Sequence, residues 1–216
     1  MSIAIIGAGN VGRALATSFT RAGHEVLLTA QHPERAQEVA SGTGARVAES
    51  NAAAATDAEI IVLAVPFASS KAVAEEIRDV VAGKTVVDVS NRMAFGADGP
   101  TIDNGPSNAE RLAAWLPDAS VVKAFNTVFA SNEVDPNVDG IQLDGFVAAD
   151  DPVAKATILA LVDSIGLRPI DAGPLARAQQ LEQLAFFNIA LNATNGWSWQ
   201  SGWRLAGAPT SAPRAA

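Results

Sequence analysis

Ser2-Ile3-Ala4-Ile5-Ile6 runs straight into Gly7-Ala8-Gly9-Asn10-Val11-Gly12 and then Arg13-Ala14-Leu15-Ala16. A short apolar strand, a glycine turn and a helix start follow one another, the context in which G-x-G-x-x-G acquires meaning. Gly7 lets the chain turn sharply off the strand. Gly9 lacks the Cβ that would hold a pyrophosphate away from the backbone, and Gly12 lets the helix pack close to the strand. The helix start offers unpaired N–H groups and the positive end of its dipole to phosphate oxygens. Gly7, Ala8, Gly9, Asn10, Val11 and Gly12 are therefore read as a dinucleotide-binding turn.

Working outward, strand-like and helix-like segments alternate. After a helix over residues 10–21, His24-Glu25-Val26-Leu27-Leu28-Thr29 reads as a second strand, and residues 33–40 as a helix with Pro33 in its first turn. Residues 45–47 make a short third strand. Residues 59–64 make a fourth, apolar enough to be buried on both faces. A helix over residues 69–81 leads to a fifth strand at 85–88. This βαβαβ rhythm predicts an α/β, Rossmann-type doubly wound, mostly parallel sheet. Residues 91–107, rich in Gly, Pro, Asn and Asp, form the longest loop, at the carboxyl edge where such sheets bind ligands. A helix at 108–115, a sixth strand at 120–125, strands at 145–149 and 168–171, and a helix at 152–165 closed by Gly166 complete the domain. Residues 175–195 read as a last helix with Leu181, Leu184, Phe187 and Leu191 along its apolar side, and the tail from Gly207 is expected to fray. The division is a dinucleotide-binding domain at 1–175, a small C-terminal helical extension with a Trp-rich turn at 176–205, and a flexible tail at 206–216.

Bulk properties narrow the function. With 49% hydrophobic and 18% charged residues among 216, the chain has an ordinary globular balance. A net charge of −8 without a basic run argues against nucleic acid. There is no cysteine, which removes disulfides, thiolate catalysis and Cys-ligated metals, and only His24 and His32 offer imidazoles. The start of the chain lacks a basic n-region, and the longest apolar run, residues 60–68, is far short of the about 20 residues a bilayer requires. A cytoplasmic protein with no membrane contact is expected.

The end of the second strand reads Thr29-Ala30-Gln31-His32-Pro33-Glu34-Arg35. An NAD site carries Asp or Glu there, about 20 residues past the glycines, to hold the ribose hydroxyls. No carboxylate precedes Glu34, whereas Thr29, Gln31, His32 and Arg35 offer hydrogen bonds and charge to a 2′-phosphate. NADP(H) is expected.

Several separated blocks resemble one family, the NADPH-dependent reductases of the deazaflavin coenzyme F420, to which the cytosolic domains of the STEAP ferric reductases are related. They are the glycine turn, Ile61-Val62-Leu63-Ala64-Val65-Pro66, Lys123-Ala124-Phe125-Asn126-Thr127, Gly166-Leu167-Arg168-Pro169-Ile170-Asp171-Ala172-Gly173-Pro174-Leu175 and Asn195-Gly196-Trp197. The resemblance implies direct hydride transfer between nicotinamide and a bound F420 or flavin, without a general acid, base or metal. It places Ala64, Val65 and Pro66 along the ribose–nicotinamide path and Asn126 and Thr127 near the nicotinamide. It places residues 90–93 and 197–202 beside the second ring, where Trp197, Trp199 and Trp203 either stack on it or form a clamp or dimer contact. The chain departs from the archaeal members at Ala30-Gln31, where they tend to have Ser-Arg. Reduction of a small C=N or C=O compound and a non-catalytic dinucleotide sensor are the alternatives.

Beyond what the resemblance implies, Lys123 reads as a strand-end lysine paired with a neighbour in preference to a substrate anchor, and Asp171 as a turn former before Gly173-Pro174. Glu182 is expected to face solvent or a partner, and Arg92 either to hold an anionic acceptor or to lie on the surface. The apolar last helix is consistent with a homodimer.

Overall fold

The computed structural model describes residues 1–96 and 99–208. In chain order the first half runs β1 (Ser2–Ile6), α1 (Asn10–Arg21), β2 (Glu25–Thr29), α2 (Pro33–Thr43), β3 (Arg46–Val47), α3 (Asn51–Asp57), β4 (Ile60–Leu63), α4 (Ser70–Ile77) and β5 (Thr85–Asp88). The second half runs β6 (Met93–Gly96), β7 (Gly99–Ile102), α5 (Asn108–Trp115), β8 (Ser120–Lys123), α6 (Ala130–Val134), β9 (Asn137–Val138), β10 (Ile141–Gln142), β11 (Asp144–Ala149), α7 (Pro152–Ser164), β12 (Arg168–Gly173) and α8 (Ala178–Asn195).

Eight strands form one sheet in the order β12-β11-β8-β5-β4-β1-β2-β3. All neighbours are parallel except β11 against β8, where Ala148 opposes Lys123. The order reverses at β1, flanked by β2 through Ile3 and Val26 and by β4 through Ile3 and Ile60. Ligands of open α/β sheets bind in the crevice outside the strand ends at such a reversal. The apolar runs of β1, β4 and β5 follow from burial on both faces. Leu15, Phe19 and Val39 pack on one side of the sheet with Ile158 and Leu161, and Ala54, Val73, Ile77 and Leu112 on the other.

The expected helices and strands correspond closely, with informative exceptions. The stretch 91–107, expected to be one long loop, contains the antiparallel hairpin β6–β7. Its short, Gly- and Pro-containing strands lack the apolar alternation that marks a half-buried strand. The helix expected at 69–81 is an α-helix over Ser70–Ile77 flanked by 3₁₀ turns at Phe67–Ser69 and Arg78–Val80. The sixth strand stops at Lys123, because Phe125 adopts a left-handed φ of 62°. Helix α3 was not anticipated, although Ser50 marks its start by accepting a hydrogen bond from the Ala53 N–H at 3.1 Å.

Helix α8 corrects the expectation of an apolar buried face. Leu181 and Ala185 are buried, but so are Glu182, Asn188 and Asn192, while Phe187 is 55% exposed. The tail predicted to fray lies from residue 209 onward outside the described residues. Among the described residues no helix is long and apolar enough to cross a membrane, and no group of side chains has the makings of a metal site.

Candidate functional site

Two cavities open at the carboxyl edge of the sheet. Gly7, Ala8 and Gly9 line the first, of about 500 Å³, and Val11 lines the second, of about 170 Å³. Helix α1 starts between them with no side-chain cap and no acidic residue in its first turn. Its free N–H groups and dipole therefore face the crevice unopposed.

The fold itself requires two of the three glycines. Gly7 has φ 117° and donates to the Thr29 carbonyl at 2.9 Å; a Cβ there would meet the Ala64 carbonyl oxygen at 2.2 Å. A Cβ on Gly12 would lie 1.8 Å from the Gly7 oxygen, whereas one on Gly9 would meet nothing within 4 Å. The first two are closed by the fold itself. Only Gly9 borders open space, on the side of the first cleft.

The outer wall of that cleft carries Gln31, His32 and Arg35 from the end of β2 and the first turn of α2. Arg35 is exposed and forms no ion pair among the described residues, while His32 lies 3.7 Å from Glu34. Ala64, Val65 and Pro66 line this first cleft and not the Asn126 side. Thr29 is buried beneath it, and its hydroxyl donates to Asn51 Oδ1 at 2.6 Å. Asn51 and Glu76 also line the cleft and were not foreseen, because they come from a missed helix and from the outer face of α4.

The second cavity is built where β8 ends. Phe125, buried with a left-handed backbone, holds a conformation that costs of order 1–3 kcal/mol in a non-glycine residue and clusters at ligand sites. The turn it makes aims Asn126 and Thr127 at the cavity. Asn126 Nδ2 donates to Asn91 Oδ1 at 2.9 Å and to the Leu181 carbonyl at 3.1 Å, and Asn91 Nδ2 donates back to the Asn126 carbonyl at 3.2 Å. With its nitrogen thus committed, Asn126 Oδ1 is left buried without a partner, as is Thr127 Oγ1. Orphaned buried polar atoms are costly and rare enough to require an explanation.

Behind this cavity lies a buried charge network that corrects the expectation for Glu182 and the surface reading of Arg92. Glu182 faces neither solvent nor a partner: it is 0% exposed and pairs with Arg92 and, at 3.2 Å, with Lys123 Nζ. Arg92 is likewise inside, donating to Glu182 and to the Gly105 carbonyl. Lys123 is paired as expected, with Asp88 Oδ2 at 2.7 Å, and also donates to the Ser90 carbonyl. Asn108 closes the set, its backbone N–H donating to Glu182 at 2.9 Å and its amide to Asp88 at 2.9 Å. Two cations and two carboxylates balance. In sequence Glu182 and Arg92 do not announce this pairing, and only contacts between distant segments bring the four together.

The tryptophan turn is fastened to the same region. Asn132 Nδ2 donates to the Gln200 carbonyl at 2.9 Å, and Ser201 Oγ donates to Asn188 Oδ1 at 2.7 Å. Trp199 meets Phe129, which lines the second cavity, edge-on at 5.7 Å. Trp197 and Trp199 remain about half exposed, while Trp203 stacks on Phe187 at 6.4 Å as a clamp away from the cavities. Asp171 accepts from the Gly173 N–H at 2.8 Å, the turn-forming part expected of it.

Comparison with known proteins points to one family. Residues 2–92 match the family described as NADP oxidoreductase coenzyme F420-dependent. The F420-dependent NADP reductase of Methanothermobacter marburgensis is 30% identical over 212 residues, 90% of this chain and 94% of that protein. Metalloreductase STEAP3 of Rattus norvegicus is 30% identical over 183 residues, but the chain spans only 36% of its length. A crystal structure described as a putative F420-dependent NADP reductase from Arthrobacter sp. FB24 superposes with a TM-score of 0.87 at 31% identity, covering 95% of this chain and 99% of that one. The chain belongs to the F420-dependent family of NADP oxidoreductases.

Proposed function

We propose that the chain transfers hydride between NADP(H) and a deazaflavin or flavin, with the dinucleotide laid across the glycine turn. Its adenosine half takes the first cleft and its pyrophosphate the open side of Gly9 and the start of α1. Its nicotinamide takes the second cavity. The observation that carries this placement is the pair of orphaned atoms there: Asn126 Oδ1 can only accept, and the Thr127 hydroxyl is free to donate. A carboxamide supplies one N–H and one carbonyl to match.

Arg35, exposed and without an ion pair among the described residues, supplies charge for a 2′-phosphate, with Gln31 and His32 beside it. When bound, the nicotinamide and the acceptor ring supply the redox chemistry themselves. The chain's contribution is to hold and orient, which accounts for large rate effects without a proton donor. Val89, Phe129 and Ile189 exclude water around the nicotinamide cavity. Residues 90–93 and the tryptophan turn border the acceptor's place, so residues 176–205 complete the site.

The test is stopped-flow oxidation of NADPH with F420, FMN, FAD and ferric chelates offered in turn. Turnover with a deazaflavin or flavin is expected. Arg35→Ala should weaken NADPH about 10- to 100-fold and leave NADH unchanged, since a charged hydrogen bond is worth about 1.5–3 kcal/mol. No turnover with any of these acceptors, alongside turnover of an imine or ketone, would overturn the reading.

A further inference from the structure

One wall of the first cleft holds a hydrogen-bond relay with no evident purpose in the fold. Thr29 Oγ1, buried at the end of β2, donates to Asn51 Oδ1 at 2.6 Å. Asn51, the first residue of α3, donates through Nδ2 to Glu76 Oε2 at 2.6 Å. Every proton in this chain points one way, toward the carboxylate. Glu76 Oε2 is therefore fixed in place, while Oε1 accepts no hydrogen bond among the described residues, and the side chain lines the cleft.

Ala72 and Val73 lie one turn before Glu76 on the same helix and line the same cleft, with Val65 adjoining them. Together they form an apolar wall ending in an acceptor edge, with the Arg35 guanidinium also bordering the space. An apolar wall suits the face of an aromatic base, and a fixed carboxylate at its rim suits an exocyclic amine. A base carrying a carbonyl at that position would set two acceptors against each other.

Building on the proposal that this cleft takes the adenosine half, we infer that Glu76, held by Thr29 and Asn51, accepts a hydrogen bond from the 6-amino group of the adenine and selects 6-aminopurine over 6-oxopurine dinucleotides. Discrimination of this kind is large, because a site that pairs with a polar group leaves its own partner unsatisfied against an analogue lacking it.

The experiment measures dissociation constants of the full chain for NADPH and for its hypoxanthine analogue, in which a carbonyl replaces the 6-amino group. The analogue should bind wild-type protein 10- to 100-fold more weakly. Glu76→Ala should bring the two within about threefold by weakening NADPH alone, and Asn51→Ala, which frees the carboxylate to rotate, should narrow the gap part of the way. Thermal midpoints of both variants serve to separate recognition from damage to the fold. If wild type binds NADPH but does not distinguish the analogue, or if Glu76→Ala weakens both equally, the inference is wrong and the adenosine placement survives. If wild type binds neither nucleotide, the placement itself fails.

Discussion

The two cavities flanking the glycine turn are built from different materials. The first is shaped by backbone and small side chains, with Gly7, Ala8 and Gly9 on one side and Ala64, Val65 and Pro66 on the other. The second is shaped by side chains from segments far apart in sequence, the amides of Asn91, Asn126 and Asn188 set among apolar Val89, Phe129 and Ile189, and is braced from behind by Asp88, Arg92, Lys123 and Glu182. A backbone cradle needs particular residues at particular consecutive positions, so it leaves a local signature. A side-chain scaffold needs only that its members meet, and their spacing along the chain is free.

The sharpest way to break this comparison is at Glu182. Truncation to Ala would leave Arg92 without its carboxylate and Lys123 with Asp88 alone, all buried. Removing one member of a buried pair costs about 3–5 kcal/mol, so denaturant unfolding should show a loss of that size. The same truncation at Glu76, exposed on α4, should stay within about 0.5 kcal/mol. Equal losses at the two glutamates would refute the contrast.

Next in size is a pair of alanine substitutions within the cradle. Gly12→Ala drives a methyl into the Gly7 carbonyl and should destabilise by about 1–3 kcal/mol or more. Gly9 has φ −77°, which any residue adopts, and its Cβ would meet nothing. Gly9→Ala should therefore keep its thermal midpoint and lose NADPH affinity by at least about tenfold, as expected of a site where only the ligand lies close. A Gly9 variant that unfolds, or one that binds normally, contradicts the assignment.

The smallest effect concerns Glu133, on α6 beside the second cavity. Its carboxylate is fully buried with neither oxygen partnered, and burial pushes its pKa well above the usual carboxylate range. The folded protein therefore keeps a proton that the unfolded chain has lost. In that window the folded state binds more protons, so stability falls as pH rises from the ordinary carboxylate pKa toward the raised one. Glu133→Gln, which mimics the protonated acid, should raise the thermal midpoint more at pH 8 than at pH 5, by about 2–4 °C per kcal/mol recovered. A variant whose advantage grows toward acid pH would show that the sign is wrong.

How much was legible in the sequence follows the same division. The order of strands and helices was readable because continuous apolar runs and caps are local, and the glycine turn was readable for the same reason. Phe125 shows the limit: the strand pattern continues through it, and only packing forces its backbone left-handed. Glu182 shows another, since the apolar neighbours Leu181 and Ala185 conceal a buried acid whose partners stand 59 and 90 residues away. Asn51 was recoverable, because Ser50 before a run of alanines is a helix-start signal. Glu76 was not, since nothing local distinguishes it from Glu75, which makes an ordinary exposed pair with Lys71.

In the proposed arrangement the nicotinamide rests against Asn126 and Thr127 with the acceptor ring beside it, close enough for hydride to pass directly. The most direct test follows deuterium from the C4 position of labelled NADPH during single turnover with F420. Deuterium should appear in the reduced deazaflavin with a primary isotope effect, and Asn126→Ala should lose rate at saturating NADPH. Deuterium washed out into solvent, or a rate indifferent to the Asn126 substitution, would contradict it.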